Sequence, residues 1–338
     1  MAMSLPDPAP VIELLEAFRR SKTLFVAASL GIFDRLAEGP RDAATLASAL
    51  GTNSEALARL LNGCVGLGLL KKDGTAYSNT PLADTYLRRS SPHTLVGYVL
   101  YSNRALYQLW GNLEDAVREG THRWAQTFGP EASLFDYYFK TEEAKRDFLM
   151  GMHGFGQLSS PRVVAAFDLS RFRRLVDLGG ATGHLALAAC EKYAGLRAAV
   201  FDLPSVVRVT RDYIERAGLA ARVEAIPGDF FNDPLPDADL YALGRILHDW
   251  SEEKIRRLLR KISEQLPRGG ALLVAERILE EDQSGPVPAL MQSLNMLVCT
   301  EGRERTLSEY TALLREAGFS DVQGRKTGAP LDAILAQK

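Results

Sequence analysis

The stretch of residues 173–204 restricts the fold of this chain more than any other part of the sequence. Its parts, in order, are a short apolar run (175–178), three closely spaced glycines (Gly179, Gly180 and Gly183), a segment with helical periodicity (185–193) and a second apolar run (198–201) that ends at Asp202. Short apolar runs of this kind are typical of buried parallel strands. Strand, glycine turn, helix, strand and closing acid predict a nucleotide-binding βαβ unit, in which glycine lets the backbone approach a ligand and the acid accepts both ribose hydroxyls.

The acid that precedes the glycines narrows the choice of ligand. Asp177 lies just inside the turn, where its charge would repel a pyrophosphate, and the glycine spacing differs from the dinucleotide fingerprint. A carboxylate there suits a ligand with a cationic end, such as S-adenosylmethionine. In these residues the chain resembles the class I S-adenosylmethionine-dependent methyltransferases, although Ala181 replaces the middle glycine of their first motif. The residues alone leave two alternatives open: a tight turn that binds no ligand, and an NAD-linked oxidoreductase.

Strands and helices continue to alternate after this unit, which predicts a parallel sheet of the α/β class. The carboxyl ends of parallel strands meet at one edge of a sheet, where ligands bind. Five polar or turn residues fall at such ends: Gly179, Asp202, Asp229, His248 and Glu276. We therefore expect the functional site at this edge.

His248 is the candidate general base. A single histidine is more often a structural residue, but this one follows a predicted buried strand and has Asp249, Glu276 and Glu304 as possible partners. An acid bonded to one ring nitrogen would fix the tautomer and leave the other nitrogen free to take a proton. Ionising a phenol of pKa ~10 at pH 7 costs ~4 kcal/mol, ionising a thiol costs about half of that, and a carboxylate is already ionised. A base at this position therefore favours a hydroxyl acceptor, most simply a phenol.

The N-terminal part of the chain has a different pattern. Large apolar side chains recur at helical spacing through residues 11–36, and a helix–turn–helix pattern at residues 43–67 leads into a hairpin marked by Asp73 and Gly74. This is a winged-helix pattern. The predicted recognition helix carries one basic residue, Arg59, whereas DNA affinity needs several. We therefore predict a dimerisation module, and with it a homodimer, rather than a DNA-binding domain.

The overall composition fits this division. A chain of 338 residues with 46% hydrophobic content can form two domains, which we place at residues 1–160 and 161–338. A net charge of −2 gives no electrostatic reason to expect nucleic acid or an anionic membrane as partner, and no apolar run is long enough to cross a bilayer. The three cysteines are widely separated and lack metal-ligand spacing, so we expect reduced thiols and no metal. Because the N-terminus also lacks the features of a signal peptide, we expect a cytoplasmic protein.

Two segments offer candidate acceptor-binding residues. Residues 121–130 are predicted to form a loop. A predicted helix at residues 142–159, which ends before Pro161, is rich in Met and aromatic side chains and includes Met150 and His153. Such clusters are usually core, but Met also suits the wall of an adaptable apolar pocket. Met291, Asn295 and Cys299 share one face of a later helix at i, i+4 spacing, although Asn295 could equally be an amide on the helix surface.

The chain from about residue 11 to its end resembles the small-molecule O-methyltransferases of plant and animal type, and within them the acetylserotonin methyltransferase branch. The passages that carry the likeness are residues 228–231 (GDFF), 245–250 (RILHDW), 293–298 (SLNMLV), 300–306 (TEGRERT) and 326–336. The resemblance implies a winged-helix dimerisation domain followed by a class I methyltransferase domain, Rossmann-like, with a mostly parallel sheet and an antiparallel C-terminal strand. It also implies S-adenosylmethionine as cofactor, S-adenosylhomocysteine as product and a small aromatic hydroxyl compound as acceptor.

The candidate roles of individual residues combine the two lines of reasoning. The resemblance implies those of His248, Glu276, Glu304, Asp202, Asp229, Phe230, Arg245, Asp249 and Asn295, and most of the other candidates come from the turn and the helices described above. The catalytic set is His248 as base, flanked by Glu276 and Glu304. The cofactor set comprises Asp177, Gly179, Gly180, Gly183, Asp202, Leu203, Gly228, Asp229, Phe230 and Arg245. The candidate acceptor set comprises Phe139, Met150, His153, Asp249, Met291, Asn295 and Cys299. Three positions depart from the family pattern: Cys299 stands where a Gln contacts the acceptor, Phe139 where a Tyr is expected and Gly156 where a Trp is expected. The departures concern the identity of the acceptor rather than the reaction type, and a catalytically inactive dimeric scaffold is the remaining alternative.

Overall fold

The computed structural model describes residues 5–130, 132–133, 137 and 141–338. The chain divides into two compact units, Met1–Tyr107 and Gln108–Lys338.

The first unit consists of helices around a small antiparallel sheet. Its elements are α1 (Ala9–Ser29), α2 (Ile32–Leu36), β1 (Arg41–Asp42), α3 (Ala43–Leu50), α4 (Ser54–Gly66), β2 (Leu70–Asp73), β3 (Ala76–Asn79), α5 (Pro81–Tyr86) and α6 (Val96–Tyr101), followed by a π-helical turn at Ser102–Leu106. Asp42 and Asn53 cap α3 and α4 by accepting hydrogen bonds from backbone N–H groups of their first turns, as short polar side chains do at helix starts. The strands are ordered β1-β3-β2, and Gly74 takes the positive φ of 56° that the tight hairpin turn needs. The predicted helix–turn–helix and hairpin are confirmed.

The start of α1 carries an apolar face that its own unit does not cover. Each side chain of this face is half exposed or more: Val11, Ile12, Leu14, Leu15 and Phe18. Only towards the end of α1 do side chains enter the core of the unit, at Ala27 and Ala28.

The second unit is an α/β layer structure. The short helix α7 (Tyr107–Trp110) spans the point of division. The further elements are α8 (Leu113–Glu119), α9 (Trp124–Phe128), α10 (Glu142–Ala165), β4 (Arg174–Leu178), α11 (His184–Lys192), β5 (Arg197–Asp202), α12 (Pro204–Arg216), β6 (Val223–Pro227), β7 (Leu240–Gly244), a 3-10 turn at Leu247–Asp249, α13 (Glu252–Gln265), β8 (Ala271–Glu276), β9 (Ile278–Leu279), α14 (Val287–Cys299), β10 (Arg305–Thr306), α15 (Leu307–Glu316), β11 (Asp321–Arg325) and β12 (Asp332–Gln337).

The main sheet has seven strands in the order β11-β12-β8-β7-β4-β5-β6. The five strands from β8 to β6 are parallel, and β12 pairs antiparallel with both β8 and β11. Apolar clusters cover both faces, because the central strands are buried on both sides. The order reverses at β4, which lies between β7 and β5, and such a switch point opens a crevice at the carboxyl ends of the strands. The predicted sheet, including its antiparallel C-terminal strand, is confirmed.

Three sequence expectations differ from the structure. The domain boundary expected at residues 160/161 falls inside α10, whereas the structure divides at Tyr107/Gln108. Pro161 does not end α10, which continues to Ala165. Residues 121–130, expected to be a loop, contain the helix α9, because Trp124 is buried and anchors this turn by donating from its indole Nε1 to the carbonyl of Cys299 at 2.6 Å.

Candidate functional site

The turn after β4 has the conformation that a close-approaching ligand requires. Gly179, Ala181 and Gly183 all have positive φ, at 68°, 49° and 80°, a region that glycine enters without strain. A Cβ on Gly180 would lie 2.5 Å from the Asp177 carboxylate, so the absence of a side chain lets this acid pack beneath the turn. The conformation of the turn therefore depends on its glycines and on the acid that packs beneath it.

Asp202 closes the other side of this turn. Its Oδ2 accepts from the backbone N–H of Ala181 at 2.8 Å, and its Oδ1 accepts from that of Leu203 at 2.7 Å. Burial raises the pKa of Asp202 to about 6, and these two N–H groups act in the opposite direction. The acid that was expected to meet a ribose thus also fixes the turn, and each carboxylate oxygen keeps a lone pair for a further donor.

Two buried charged atoms beside the turn have no hydrogen-bond partner among the described residues: Asp177 Oδ2 and one terminal nitrogen of Arg245. Asp177 is 1% exposed, and burial together with the nearby charge of Asp202 raises its pKa to about 7. Arg245 follows β7 with a positive φ of 58°, which is unusual for a residue with a side chain. Each of these two groups, one acidic and one basic, therefore keeps one buried polar atom without a hydrogen bond to a described residue.

The end of β6 supplies an aromatic side to the crevice. A Cβ on Gly228 would lie 2.3 Å from the ring of Phe201, and one on Gly179 would lie 3.1 Å from the ring of Phe230. The missing side chains let both rings approach the backbone. Asp229 accepts from the backbone N–H of Phe231 at 2.8 Å, so it stabilises its own turn, as aspartate often does.

His248 lies in a buried group of acids at the end of β7. It is 2% exposed, and its Nδ1 is 2.7 Å from Glu304 Oε1 and 3.4 Å from Glu276 Oε2. Its Nε2 is 3.6 Å from Asp249 Oδ1, too long for a hydrogen bond. The predicted arrangement, an acid on one ring nitrogen with the other nitrogen available, is present in the structure.

Glu276 and Glu304 hold different parts of this histidine. Glu276 Oε1 accepts from the backbone N–H groups of Ile246 and Leu247, at 3.0 and 2.9 Å, and so fixes the backbone just before His248. Glu304 bonds the ring itself. His248, Glu276 and Glu304 offer ligand atoms within 4.8 Å of one another. The Oε1 atoms of both carboxylates are engaged in holding the backbone and the ring, whereas Glu276 Oε2 and Glu304 Oε2 have no hydrogen-bond partner among the described residues.

The carboxylates determine the protonation of His248. Burial lowers the pKa of His248, but the charges of Glu276, Glu304 and Asp249 outweigh it and raise the pKa to about 9. Burial and repulsion by Glu304 and Asp249 raise the pKa of Glu276 to about 7. Because a histidine with a raised pKa is charged at neutral pH, its neutral form increases as the pH rises towards 9.

The expected acceptor residues are only partly brought together. Asn295 and Cys299 are buried on α14, whereas Met291, one turn earlier, is 46% exposed. Met150 is half-buried on α10, and His153 bonds Thr182 of the glycine-rich turn, so it lies beside the expected cofactor residues. Phe139 lies outside the described residues.

Asn295 has a defined orientation. Its Oδ1 accepts from the indole N–H of Trp110 at 2.9 Å and from the thiol of Cys299 at 3.7 Å. An indole N–H can only donate, so the oxygen must face Trp110 and the amide NH₂ must point elsewhere. No described residue accepts from that NH₂ group, which leaves it free to donate to a ligand.

Trp110, Gly302 and Arg305 also support the site, although no sequence pattern singled them out. Arg305 is buried and donates to the carbonyl of Leu247 at 3.2 Å, and a Cβ on Gly302 would lie 2.2 Å from the carbonyl oxygen of His248. Both residues support the backbone of the 3-10 turn that carries His248. Their position in the same passage as Glu304 was the available signal.

Comparison with known proteins agrees with this geometry. Residues 110–320 match the model of an O-methyltransferase domain, and residues 12–89 match an O-methyltransferase dimerisation domain. The chain is 45% identical over 333 residues to the acetylserotonin O-methyltransferase of Bos taurus, covering 96% of each chain. The structure of human N-acetylserotonin methyltransferase in complex with SAM superposes with a TM-score of 0.93 at 40% identity, covering 100% of this chain and 99% of that one. PigF with SAH superposes with a TM-score of 0.89 at 31% identity, covering 98% and 100%. Within the described part of the chain, no helix has the length and apolar character needed to cross a membrane.

Proposed function

The chain belongs to the O-methyltransferase family, and from that premise we propose that it methylates a phenolic or hydroxyindole hydroxyl of a small aromatic acceptor, with His248 as general base. Its cofactor is S-adenosylmethionine and its second product S-adenosylhomocysteine. The observation that carries the assignment of the base is the buried ring of His248, bonded to Glu304 through Nδ1 at 2.7 Å with Nε2 left for an acceptor.

The two buried atoms without a hydrogen-bond partner fit the cofactor. A methionine end carries an ammonium and a carboxylate, and Asp177 Oδ2 and the free terminal nitrogen of Arg245 are buried atoms of the complementary charges without described partners. Opposite charges within a few ångströms stabilise each other strongly away from water. The positive-φ turn at residues 179–183 lets the remaining part of the cofactor approach the protein backbone. The carboxylate oxygens of Asp202 keep lone pairs that can accept from the ribose hydroxyls. We assign the aromatic side at Phe230 to the base of the nucleoside.

The chain's own residues then act on the acceptor. The bound cofactor supplies an electrophilic methyl group that needs only an in-line nucleophile. His248 removes the hydroxyl proton through Nε2, and Glu304 stabilises the imidazolium that results. Glu276, bonded to two backbone N–H groups, keeps the ring from shifting as it charges. A positioned base of this kind contributes ~10²–10⁴ in rate.

The acceptor side suits a molecule with more than one polar group. The free NH₂ of Asn295 calls for an oxygen that accepts a hydrogen bond, and Asp249 calls for a donor such as an indole N–H. The thiol of Cys299 donates to Asn295 Oδ1 at 3.7 Å and so helps to orient the Asn295 amide. Unlike the Gln of the family pattern, Cys299 has no amide that could bond the acceptor. We therefore propose an acceptor that presents one accepting oxygen at this end.

Two measurements test the proposal. Calorimetric titration with S-adenosylhomocysteine and with NAD distinguishes a methyltransferase from an oxidoreductase, and we expect binding of the homocysteine compound alone. Transfer of a labelled methyl group to a panel of phenols and hydroxyindoles tests catalysis. Binding without transfer across the whole panel would support an inactive scaffold instead.

We also propose that the chain works as a two-fold homodimer in the cytoplasm. The support for a dimer is the match to a dimerisation domain and the uncovered apolar face of α1, since exposed patches of this kind mark interfaces. The support for the compartment is that all three cysteines are free and buried, as in a reducing environment.

A further inference from the structure

Two histidines that the proposed mechanism does not use join α10 to the glycine-rich turn. His153 Nδ1 is 2.8 Å from the hydroxyl of Thr182. His184, the first residue of α11, has its Nδ1 2.8 Å from the hydroxyl of Ser160. In the first bond α10 supplies the imidazole and the turn supplies the hydroxyl. In the second bond His184, directly after the turn, supplies the imidazole and α10 supplies the hydroxyl.

His184 is seated in a notch in α10 at Gly156. A Cβ on Gly156 would lie 2.2, 2.3 and 2.4 Å from three atoms of the His184 ring, closer than any real contact allows. The ring therefore occupies the place where a side chain of residue 156 would stand. His153, Gly156 and Ser160 lie at i, i+3 and i+7 on one face of α10, so that face is shaped to receive the turn.

Both rings are neutral at physiological pH. Burial lowers the pKa of His153 to about 4. Burial also lowers the pKa of His184 to about 3, and the nearby His153 and Arg245 act in the same direction. A neutral ring can share a hydrogen bond with a hydroxyl group and pack against a helix backbone without the desolvation cost of a buried charge.

We propose that His184 is a positioning residue for the cofactor: seated at Gly156 and bonded to Ser160, it holds the glycine-rich turn against α10 in the form that accepts S-adenosylmethionine. The proposal rests on the assignment of this turn to the cofactor. If the held form is the one that binds, loosening the contact lowers the fraction of competent protein and weakens binding by the same factor. The turnover number of the fully loaded enzyme depends much less on the contact.

The first test removes one hydroxyl. Ser160→Ala deletes the partner of His184. Ser159→Ala is a matched control, because within the part of the chain that the structure describes the buried Ser159 hydroxyl bonds only the carbonyl of Phe155 in its own helix, at 3.1 Å. A neutral hydrogen bond contributes enough that its loss should weaken S-adenosylhomocysteine binding about threefold to tenfold. We expect this rise in Kd, and a matching rise in KM for the cofactor at nearly constant kcat, for Ser160→Ala and not for Ser159→Ala.

The second test uses the fit between ring and notch. Gly156→Ala should displace the His184 ring and weaken S-adenosylhomocysteine binding at least tenfold, and adding His184→Ala should recover part of that loss because the new methyl group then meets no ring. His184→Asn, which keeps a polar atom near the position of Nδ1, should bind better than His184→Ala. Circular dichroism and thermal unfolding select a temperature at which every variant is folded, so that binding is compared between native proteins.

The outcomes separate this proposal from the proposed function. Failure of the wild-type protein to bind S-adenosylhomocysteine would contradict the cofactor assignment itself. Normal wild-type binding with equal Kd values for Ser160→Ala and Ser159→Ala, or with additive losses for Gly156→Ala and His184→Ala, would overturn the role of His184 and leave the cofactor assignment intact.

Discussion

Replacing Glu304 by Gln should change the pH dependence of methyl transfer, because this carboxylate is the closest of the three that raise the pKa of His248. Its Oε1 is 2.7 Å from Nδ1 of the ring. Gln keeps the size and a hydrogen-bonding oxygen but removes the charge. The pKa of His248, about 9 in the wild-type protein, should therefore fall towards the ordinary value of ~6.5.

The size of the effect follows from these pKa values. With the pKa of His248 at about 9, two steps contribute to the cost of forming a phenolate at pH 7. Deprotonating the imidazolium costs ~2 pKa units, and moving a proton from a phenol of pKa ~10 to the neutral imidazole costs ~1 pKa unit, which together are equivalent to ~4 kcal/mol. At pH 9 the same state costs ~1.3 units, so kcat/KM of the wild type should rise about 50-fold from pH 7 to pH 9. With a pKa of ~6.5 the cost is ~3.5 units at every pH above 7, and the profile becomes flat. The wild type should exceed the variant at most about fourfold at pH 7 and about 150-fold at pH 9. These are upper limits, because Glu276 and Asp249 still raise the pKa of His248 in the variant and proton transfer is only partly complete in the transition state.

The assay is kcat/KM for one phenol between pH 6 and pH 10, for the wild type and for Glu304→Gln. Glu301→Gln is the matched control, because Glu301 lies on the same loop but pairs with the exposed Lys254. A nitro-substituted phenol, already ionised at neutral pH, should give similar profiles for all three proteins. Coincident profiles of the wild type and Glu304→Gln with the ordinary phenol would refute the view that this carboxylate sets the basicity of His248.

Three further changes test other parts of the account. Gly302→Ala should lower kcat at least tenfold in steady-state assays, because its Cβ would lie 2.2 Å from the carbonyl oxygen of His248; an unchanged kcat would show that this backbone can move freely. Calorimetry of S-adenosylhomocysteine binding should show affinity falling as the pH drops through about 7, where Asp177 takes up a proton and no longer attracts an ammonium. Asp177→Asn should bind weakly and lose this step, keeping only the step near pH 6 that the neighbouring Asp202 contributes. An unchanged step near pH 7 in Asp177→Asn would contradict the assignment. Phe18→Glu places a charge on the uncovered face of α1 and should convert a dimer into a monomer by light scattering, whereas a monomeric wild type would refute the dimer.

The sequence predicted those parts of the site whose signals are local. The glycines after β4, the acids at strand ends and His248 all follow short apolar runs, and strand ends in a parallel sheet must converge on one edge. The pairing of Nδ1 with Glu304 is different, since 56 residues separate the two in sequence. Their proximity depends on how the passage with Gly302 packs onto the 3-10 turn, and the resemblance to a family, rather than spacing, indicated it.

Other predicted site residues and the domain boundary depend on tertiary contacts, which the periodicity of a sequence does not indicate. The i, i+4 spacing grouped Met291 with Asn295 and Cys299, but the three differ in burial. Asn295 and Cys299 are buried and accept hydrogen bonds from Trp110 and Trp124, whereas Met291 is 46% exposed. His153 was expected beside the acceptor, yet its ring bonds the cofactor turn, since a helix periodicity does not say which neighbour a face meets. The domain boundary was placed at Pro161, but proline inside α10 did not end the helix.

The most direct test of the account is the dependence of His248→Ala on the acidity of the acceptor, measured as kcat under saturating cofactor for phenols of graded pKa. If His248 removes the hydroxyl proton, the variant should lose ~10²–10⁴ in kcat with an ordinary phenol at about pH 9, where about half of the wild-type imidazole is neutral. It should lose only a small factor with a nitro-substituted phenol, while its affinity for S-adenosylhomocysteine stays the same. Raising the pH towards the pKa of the phenol should then restore much of the lost rate. Equal losses with acidic and weakly acidic phenols, and no recovery at high pH, would contradict the role of His248 as base and leave it only a part in positioning the acceptor.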